Sequence, residues 1–231
     1  MKLTKEQILQ VNKQIKAHKH KNYATNIVLT EGIIIKKFKV FEKVLRPEKM
    51  NAIFLARWLY FNNGIYKNKV VIDMGCGSGV QGIVCALFGA KNVIFSDIDN
   101  SSYKNTLENV NLFGLKNKCE VLEGDLFEKI KEKADIIVFN HPFFHDDSFE
   151  RHIKQGFLGR GKLIHRFLND AKSFLKEGGI IIMPYFHLAG EINDPAVQGP
   201  KHGYSIKEKF NFNTKTILQR GANSVYILKL K

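Results

Sequence analysis

The sequence predicts a doubly wound α/β fold. Its sheet is mostly parallel and seven-stranded, closes with an antiparallel C-terminal hairpin, and is preceded by a small N-terminal helix and β-hairpin. Three observations carry this reading. Apolar strand-like runs alternate with amphipathic helical stretches between residues 70 and 184, as in a parallel sheet covered on both faces. A glycine-rich turn, "DMGCGSG" at Asp73 to Gly79, ends the first of those runs, at the strand end where open α/β sheets bind ligands. Two period-two stretches, "YSIKEKFNFN" and "SVYILKLK", close the chain with no long helix between them, so they pair antiparallel.

Thr4-Lys5-Glu6-Gln7 reads as a capping box, with Leu3 and Ile8 as its staple. Ile8, Val11 and Ile15 repeat at helical spacing, with Lys5, Lys13, Lys16 and Lys19 mostly off that stripe. The β-branched runs of "NIVLTEGIIIKKFKVF" around Glu31-Gly32 predict a hairpin. Pro47 suits a first helical turn, and Met50, Ile53, Phe54 and Trp58 mark an amphipathic helix after it. A boundary near residue 45 therefore separates an extension, 1–45, from a main domain, 46–231. Strands are expected at Val70–Met74, Val93–Ser96, Cys119–Glu123, Asp135–Phe139 and Gly179–Pro184, and helices near 80–88, 101–113 and 161–175.

The chain of 231 residues is 44% apolar, which excludes a disordered tail. It has no apolar run near the roughly 18 residues of a membrane span and no apolar stretch typical of a signal peptide. Its three cysteines, Cys76, Cys85 and Cys119, are odd in number and not in C-x-x-C spacing, which fits a reduced cytoplasm. The net charge of +14 is uneven: residues 1–50 hold twelve Lys/Arg against four Glu, a net of +8. Such clustering is an electrostatic footprint for a polyanion, and it equally suits a solubilising helix face.

Three ligands compete for the glycine turn. A phosphate loop of the Walker type needs a Lys-Ser or Lys-Thr pair after the glycines, and none follows. G-x-G-x-x-G does match at Gly77 to Gly82, yet it starts two residues late because Gly75 and Cys76 intervene. The third reading uses more residues. Asp73 sits at the strand end ahead of Gly75, Gly77 and Gly79; a carboxylate there repels a pyrophosphate but suits the sulfonium and ammonium of S-adenosylmethionine. Asp97, 24 residues later, ends the second strand in "VIFSDID" and can accept both ribose hydroxyl protons. Asp125, after the third strand in "EVLEGD", can accept from the adenine amine. Each of these acids is also a common helix N-cap, but three in register favour the cofactor. Ile98 and Leu126 beside them, with Cys76 in the loop, complete the candidate cofactor set.

The fourth strand runs into "DIIVFNHPFF", Asp135 to Phe144. Here the chain resembles the class I S-adenosylmethionine-dependent methyltransferases, which are Rossmann-like. It is most similar to the amino-methylating branch with an Asn-Pro-Pro-Tyr/Phe motif, which includes release-factor glutamine and ribosomal- or transfer-RNA base methyltransferases. The glycine motif and Asp97 also resemble those of ribosomal-protein lysine methyltransferases. The resemblance spans about residues 46–231 and is more specific for the cofactor than for the substrate. It implies that the Asn140 side-chain oxygen and the His141 backbone carbonyl accept from the target amine. Phe143 would cover the planar amide or base, with Pro142 completing the motif and Asn140 also touching the cofactor. Two such acceptors orient a nitrogen whose lone pair is delocalised, for in-line displacement.

His141 departs from the family, which usually has Pro there. Its imidazole is read either as a base near neutral pH or as a solvent-facing loop side chain, with the second preferred. His145, Asp146 and Asp147 beside it look metal-like in composition but lack ligand spacing, so no metal is expected. "FERHIKQGFLGRGKLIHR", Phe149 to Arg166, is a basic, aromatic stretch that suits a lip for an anionic substrate or a solvated loop. The expected function is N-methylation of RNA or of a translation-associated protein. The alternative from another class is a non-catalytic RNA-binding protein that keeps the cofactor fold, and a nicotinamide oxidoreductase comes third.

Overall fold

The computed structural model describes residues 4–6, 8, 9, 12, 16, 19–144, 162–212 and 223–231. Near the N-terminus the described residues between 5 and 16 are helical and exposed, and the Ile8 N–H donates to the Thr4 carbonyl at 2.9 Å. Leu3, Gln7, Val11, Lys13 and Ile15 lie outside the described residues.

The expected hairpin forms from β1 (Tyr23–Val28) and β2 (Ile34–Val40), paired antiparallel from Tyr23 opposite Val40 to Val28 opposite Ile34. Helix α1 (Met50–Phe61) starts three residues later than Pro47 suggests. The Arg46-Pro47-Glu48 segment is held elsewhere: the Tyr23 hydroxyl donates to the Glu48 carboxylate at 3.0 Å, and Arg46 lies over the Tyr23 ring. That anchor keeps the segment in a turn, and Lys49 enters the helix with an extended backbone.

The main sheet comprises β3 (Val70–Met74), β4 (Asn92–Asp97), β5 (Cys119–Glu123), β6 (Ala134–Phe139), β7 (Leu175–Phe186), β8 (Tyr204–Phe212) and β9 (Asn223–Leu230). Their order is β5-β4-β3-β6-β7-β9-β8; the first five run parallel, and β9 and β8 are antiparallel. The strand order reverses between β3 and β6, which opens a crevice at their C-terminal ends. Helices α2 (Val80–Leu87), α3 (Asn100–Leu112) and α4 (Lys162–Phe174) lie where periodicity places them. β7 is longer than expected, and a short helix α5 (Pro195–Lys201) was not expected, because Gly199 and Pro200 read as breakers. Asp194 caps α5 by accepting the Ala196 N–H at 2.8 Å, and Pro195 opens it.

Alternation along β3 feeds two cores. Val70, Ile72 and Met74 face α4 and the C-terminal hairpin; Val71 joins the opposite core with α1, α2 and α3. The N-terminal hairpin belongs to that second core through Ile27, Ile35, Phe38 and Val40. Two buried asparagines, one turn apart on α3, bind its backbone. Asn109 and Asn105 accept from the Lys39 and Phe41 N–H groups at 2.8 Å, and both donate to the Lys39 carbonyl at 2.9 Å.

Candidate active site

Asp73 occupies the α2-facing side of β3. It is 2% exposed, and its carboxyl accepts the Gly82 N–H at 2.8 Å. Burial pushes its pKa up to about 8, against that N–H donor, and the nearby Asp97 adds to the rise. Asp73 therefore lies beneath the glycine loop and ties it to α2. A Cβ at Gly82 would sit 2.3 Å from the Phe95 ring and 3.0 Å from Asp73, so only glycine lets α2 lie this close.

Gly75, Gly77 and Gly79 all have positive φ, at 59°, 58° and 83°. The Gly77 carbonyl accepts from Thr106 at 2.9 Å, and the Ser78 carbonyl from Asn109 at 3.0 Å. A Cβ on Gly79 would lie 2.9 Å from Thr106, so the loop packs flat on α3. Burial pushes the Cys76 thiol well above its ordinary range, which leaves it a small filler rather than a nucleophile. Val44, 4.0 Å from where a Gly77 Cβ would be, roofs the loop from the N-terminal side.

Asp97 ends β4 beside this loop. One carboxylate oxygen accepts the Gly77 N–H and the other the Asp99 N–H, each at 2.9 Å. Burial raises its pKa to about 6 although those donors oppose the shift. Asp99, not Asp97, caps α3, through the Ser102 N–H at 2.9 Å. Each oxygen of Asp97 keeps a further lone pair for a ribose hydroxyl. Ile98, 57% exposed, offers an apolar surface next to it. Asp125 pairs at 2.8 Å with Arg166 of α4, the last residue of the basic stretch that begins at Phe149. Leu126 is buried with φ 53°, and its carbonyl accepts from Ser96 at 2.7 Å. The loop, the acid at the ribose position and the apolar neighbour suit S-adenosylmethionine: backbone flattened by glycine, acceptors for hydroxyls and a surface for adenine.

Asn140 emerges at the end of β6, partly exposed, and among the described residues its carboxamide has no hydrogen-bond partner. Pro142 is buried and Phe143 half-buried. His141 corrects an expectation. It is not solvent-facing but 3% exposed, because its ring fills a box made by Phe139, Phe143 and Tyr185. Burial lowers its pKa to about 4, so it is neutral near pH 7 and is not poised as a base there. Its Nε2–H donates to the Asn193 carbonyl at 2.7 Å, and Asn193 Nδ2 donates to the Phe143 carbonyl at 2.9 Å. Asn193 and Tyr185 carry no sequence signal for this role; Asn-Asp-Pro marks only a turn and a helix start. His145, Asp146, Asp147 and most of Phe149–Arg166 lie outside the described residues.

A glycine loop ends the first parallel strand, an acid ends the second, and a carboxamide without a hydrogen-bond partner among the described residues follows the fourth, an arrangement that suits a class I methyltransferase. The chain belongs to the methyltransferase small domain family, matched over residues 53–188, and is an S-adenosylmethionine-dependent enzyme. It is 31% identical over 172 residues to a protein named as an N5-glutamine methyltransferase of Methanocaldococcus jannaschii, covering 71% of this chain and 82% of that one. A ribosomal protein L11 methyltransferase of Alkaliphilus metalliredigens is 28% identical over 189 residues, but the chain spans only 53% of its length. Among solved structures, the ribosomal protein L11 methylase of Lactobacillus delbrueckii subsp. bulgaricus shares the fold. Its TM-score is 0.62 at 20% identity, over 90% of this chain and 99% of that one. The Thermus thermophilus 16S rRNA N2 G1207 methyltransferase, solved with AdoMet and guanosine, also has a TM-score of 0.62. It is 19% identical, over 92% of this chain and 51% of that one. No helix among the described residues is long and apolar enough to cross a membrane.

Proposed function

We propose that this enzyme methylates an amino or amide nitrogen of RNA. The observation that carries the choice of nitrogen is the carboxamide of Asn140, which has no hydrogen-bond partner among the described residues and stands at the end of β6, next to β3 and its glycine loop and three residues before Phe143. The bound cofactor supplies an electrophilic methyl group. The chain's own residues then hold and orient. Asp97 accepts from the ribose hydroxyls, Ile98 and Leu126 flank the adenine, and Asp125 accepts from its amine. Gly75, Cys76, Gly77 and Gly79 supply the backbone along the methionine end, with Asp73 fixing that loop from below. Asn140 and the His141 carbonyl accept from the target NH₂, which turns its nitrogen towards the methyl carbon, while Phe143 and Pro142 bound the planar group.

RNA is favoured by charge. Residues 1–50 carry a net +8. An open groove of about 260 Å³ at the N-terminus of α3 is lined by Phe41, Glu42, Lys43, Asn100 and Lys104 among others, a ring and two ammonium groups against one carboxylate. A protein side chain is the second reading, supported by the relatives named for glutamine and for ribosomal protein L11.

The test is transfer of tritiated methyl from S-adenosylmethionine into an undermodified lysate, followed by RNase or protease digestion. RNase-sensitive label supports the proposal, and protease-sensitive label moves the target to protein. Asn140→Ala should lower the transfer rate at least 100-fold, well beyond any loss of cofactor affinity, since it removes a contact to the reacting nitrogen that counts most in the transition state. RNA binding without transfer by the wild-type chain would return the non-catalytic reading.

A further inference from the structure

The loop that carries Asn140 and Phe143 is fastened from behind at two points. The imidazole of His141 reaches the Asn193 backbone carbonyl at 2.7 Å, and the Asn193 side chain reaches back to the Phe143 carbonyl at 2.9 Å. The segment bearing Asn193 is itself tied down, because the Tyr185 hydroxyl donates to the Gly190 carbonyl at 2.6 Å. Tyr185 also stacks on His141, with centroids 5.8 Å apart and planes 13° off parallel. His141 and Asn193 are 3% and 1% exposed.

This arrangement is poor for stability alone. With Nε2 donating, the neutral imidazole leaves Nδ1 as an acceptor; with Nδ2 donating, Asn193 leaves Oδ1 as an acceptor. Among the described residues neither buried atom has a well-formed hydrogen-bond partner, the Phe139 backbone being the other polar group near the imidazole. Apolar side chains of the same shape would fill the box without that cost. The polar pair makes sense for what it positions.

We propose that His141 and Asn193 form a clamp that fixes the acceptor loop, with Asn193 a positioning residue and the imidazole holding by hydrogen bond what a proline ring would hold by restricting φ. The clamp rests on the nitrogen-methylation reading for its purpose but not for its geometry. The two side chains act through the backbone, fixing the loop from which the Asn140 carboxamide and the Phe143 ring project.

The experiment compares His141→Pro, His141→Phe and Asn193→Ala with the wild-type chain. It reads amide hydrogen exchange at Phe143 and Phe144, cofactor Kd by calorimetry, and single-turnover methyl transfer at saturating cofactor. The clamp predicts that Asn193→Ala and His141→Phe raise exchange and slow transfer at least tenfold, with Kd within twofold. His141→Pro keeps both exchange and transfer within about threefold. The reverse order, Phe tolerated and Pro not, makes His141 a packing residue and overturns the proposal. Unchanged exchange in Asn193→Ala overturns it too. Exchange and calorimetry need no acceptor, so a wild-type chain that transfers no methyl group would sink the functional reading and leave the clamp judged on its own.

Discussion

Asp97 pays for its place at the cleft in proton affinity. Its pKa of about 6, against a usual value near 3.8, comes from burial that the Gly77 and Asp99 N–H groups only partly offset. A ribose needs the ionised form as acceptor. The contribution of Asp97 to cofactor affinity should therefore be flat above pH 7 and fall as pH drops through 6, approaching tenfold per unit. The effect on stability has the opposite sign: a raised folded-state pKa gives a contribution present below about 3.8 and lost as pH rises through 6. Calorimetric titration across pH 5–8 checks this. Asp97→Asn should abolish the slope and weaken binding at pH 7.5 at least tenfold, about 1.4 kcal/mol. The position of Asp97 was legible in "VIFSDID", because a strand-end acid is a local pattern. The burial of His141 was not, since it depends on Tyr185 and Asn193, each more than 40 residues away in sequence.

Element by element, the parallel strands and their helices were legible because apolar period and glycine punctuation are local. The attachment of the N-terminal hairpin was not. Asn105 and Asn109 look like surface residues of a polar helix, yet both are fully buried and serve as the edge partners of β2. Asn105→Ala strands the Phe41 N–H and weakens the hold on Lys39, at a cost of about 1–3 kcal/mol. Chemical denaturation should show that loss, with faster exchange across residues 34–41, whereas Asn111→Ala on the exposed face of the same helix should change neither.

For the whole molecule, charge and fold divide the labour. The hairpin is part of the core, and His20 and Asn22 are bonded to Val44 and Glu42, so we propose the basic residues before His20 as the docking arm. Deleting residues 1–19, which leaves the His20 bond to Val44 in place, should weaken RNA binding severalfold or more, with cofactor Kd and melting temperature nearly unchanged. The slope of log affinity against log salt should also become shallower by filter binding. Equal losses in cofactor and RNA binding would make the segment structural.

The roof of the cleft is made early in the chain and secured late. Val44, whose carbonyl accepts from His20, lies over Gly77, but the amides that hold the neighbouring β2 come 64 to 70 residues afterwards. During synthesis the hairpin therefore waits without its partners while β3, α2 and β4 emerge. Its docking is a long loop closure that follows local collapse. The crevice between β3 and β6 is completed only after both α3 and β6 have formed, and a folding intermediate lacking α3 has the glycine turn without the Thr106 and Asn109 bonds that hold it.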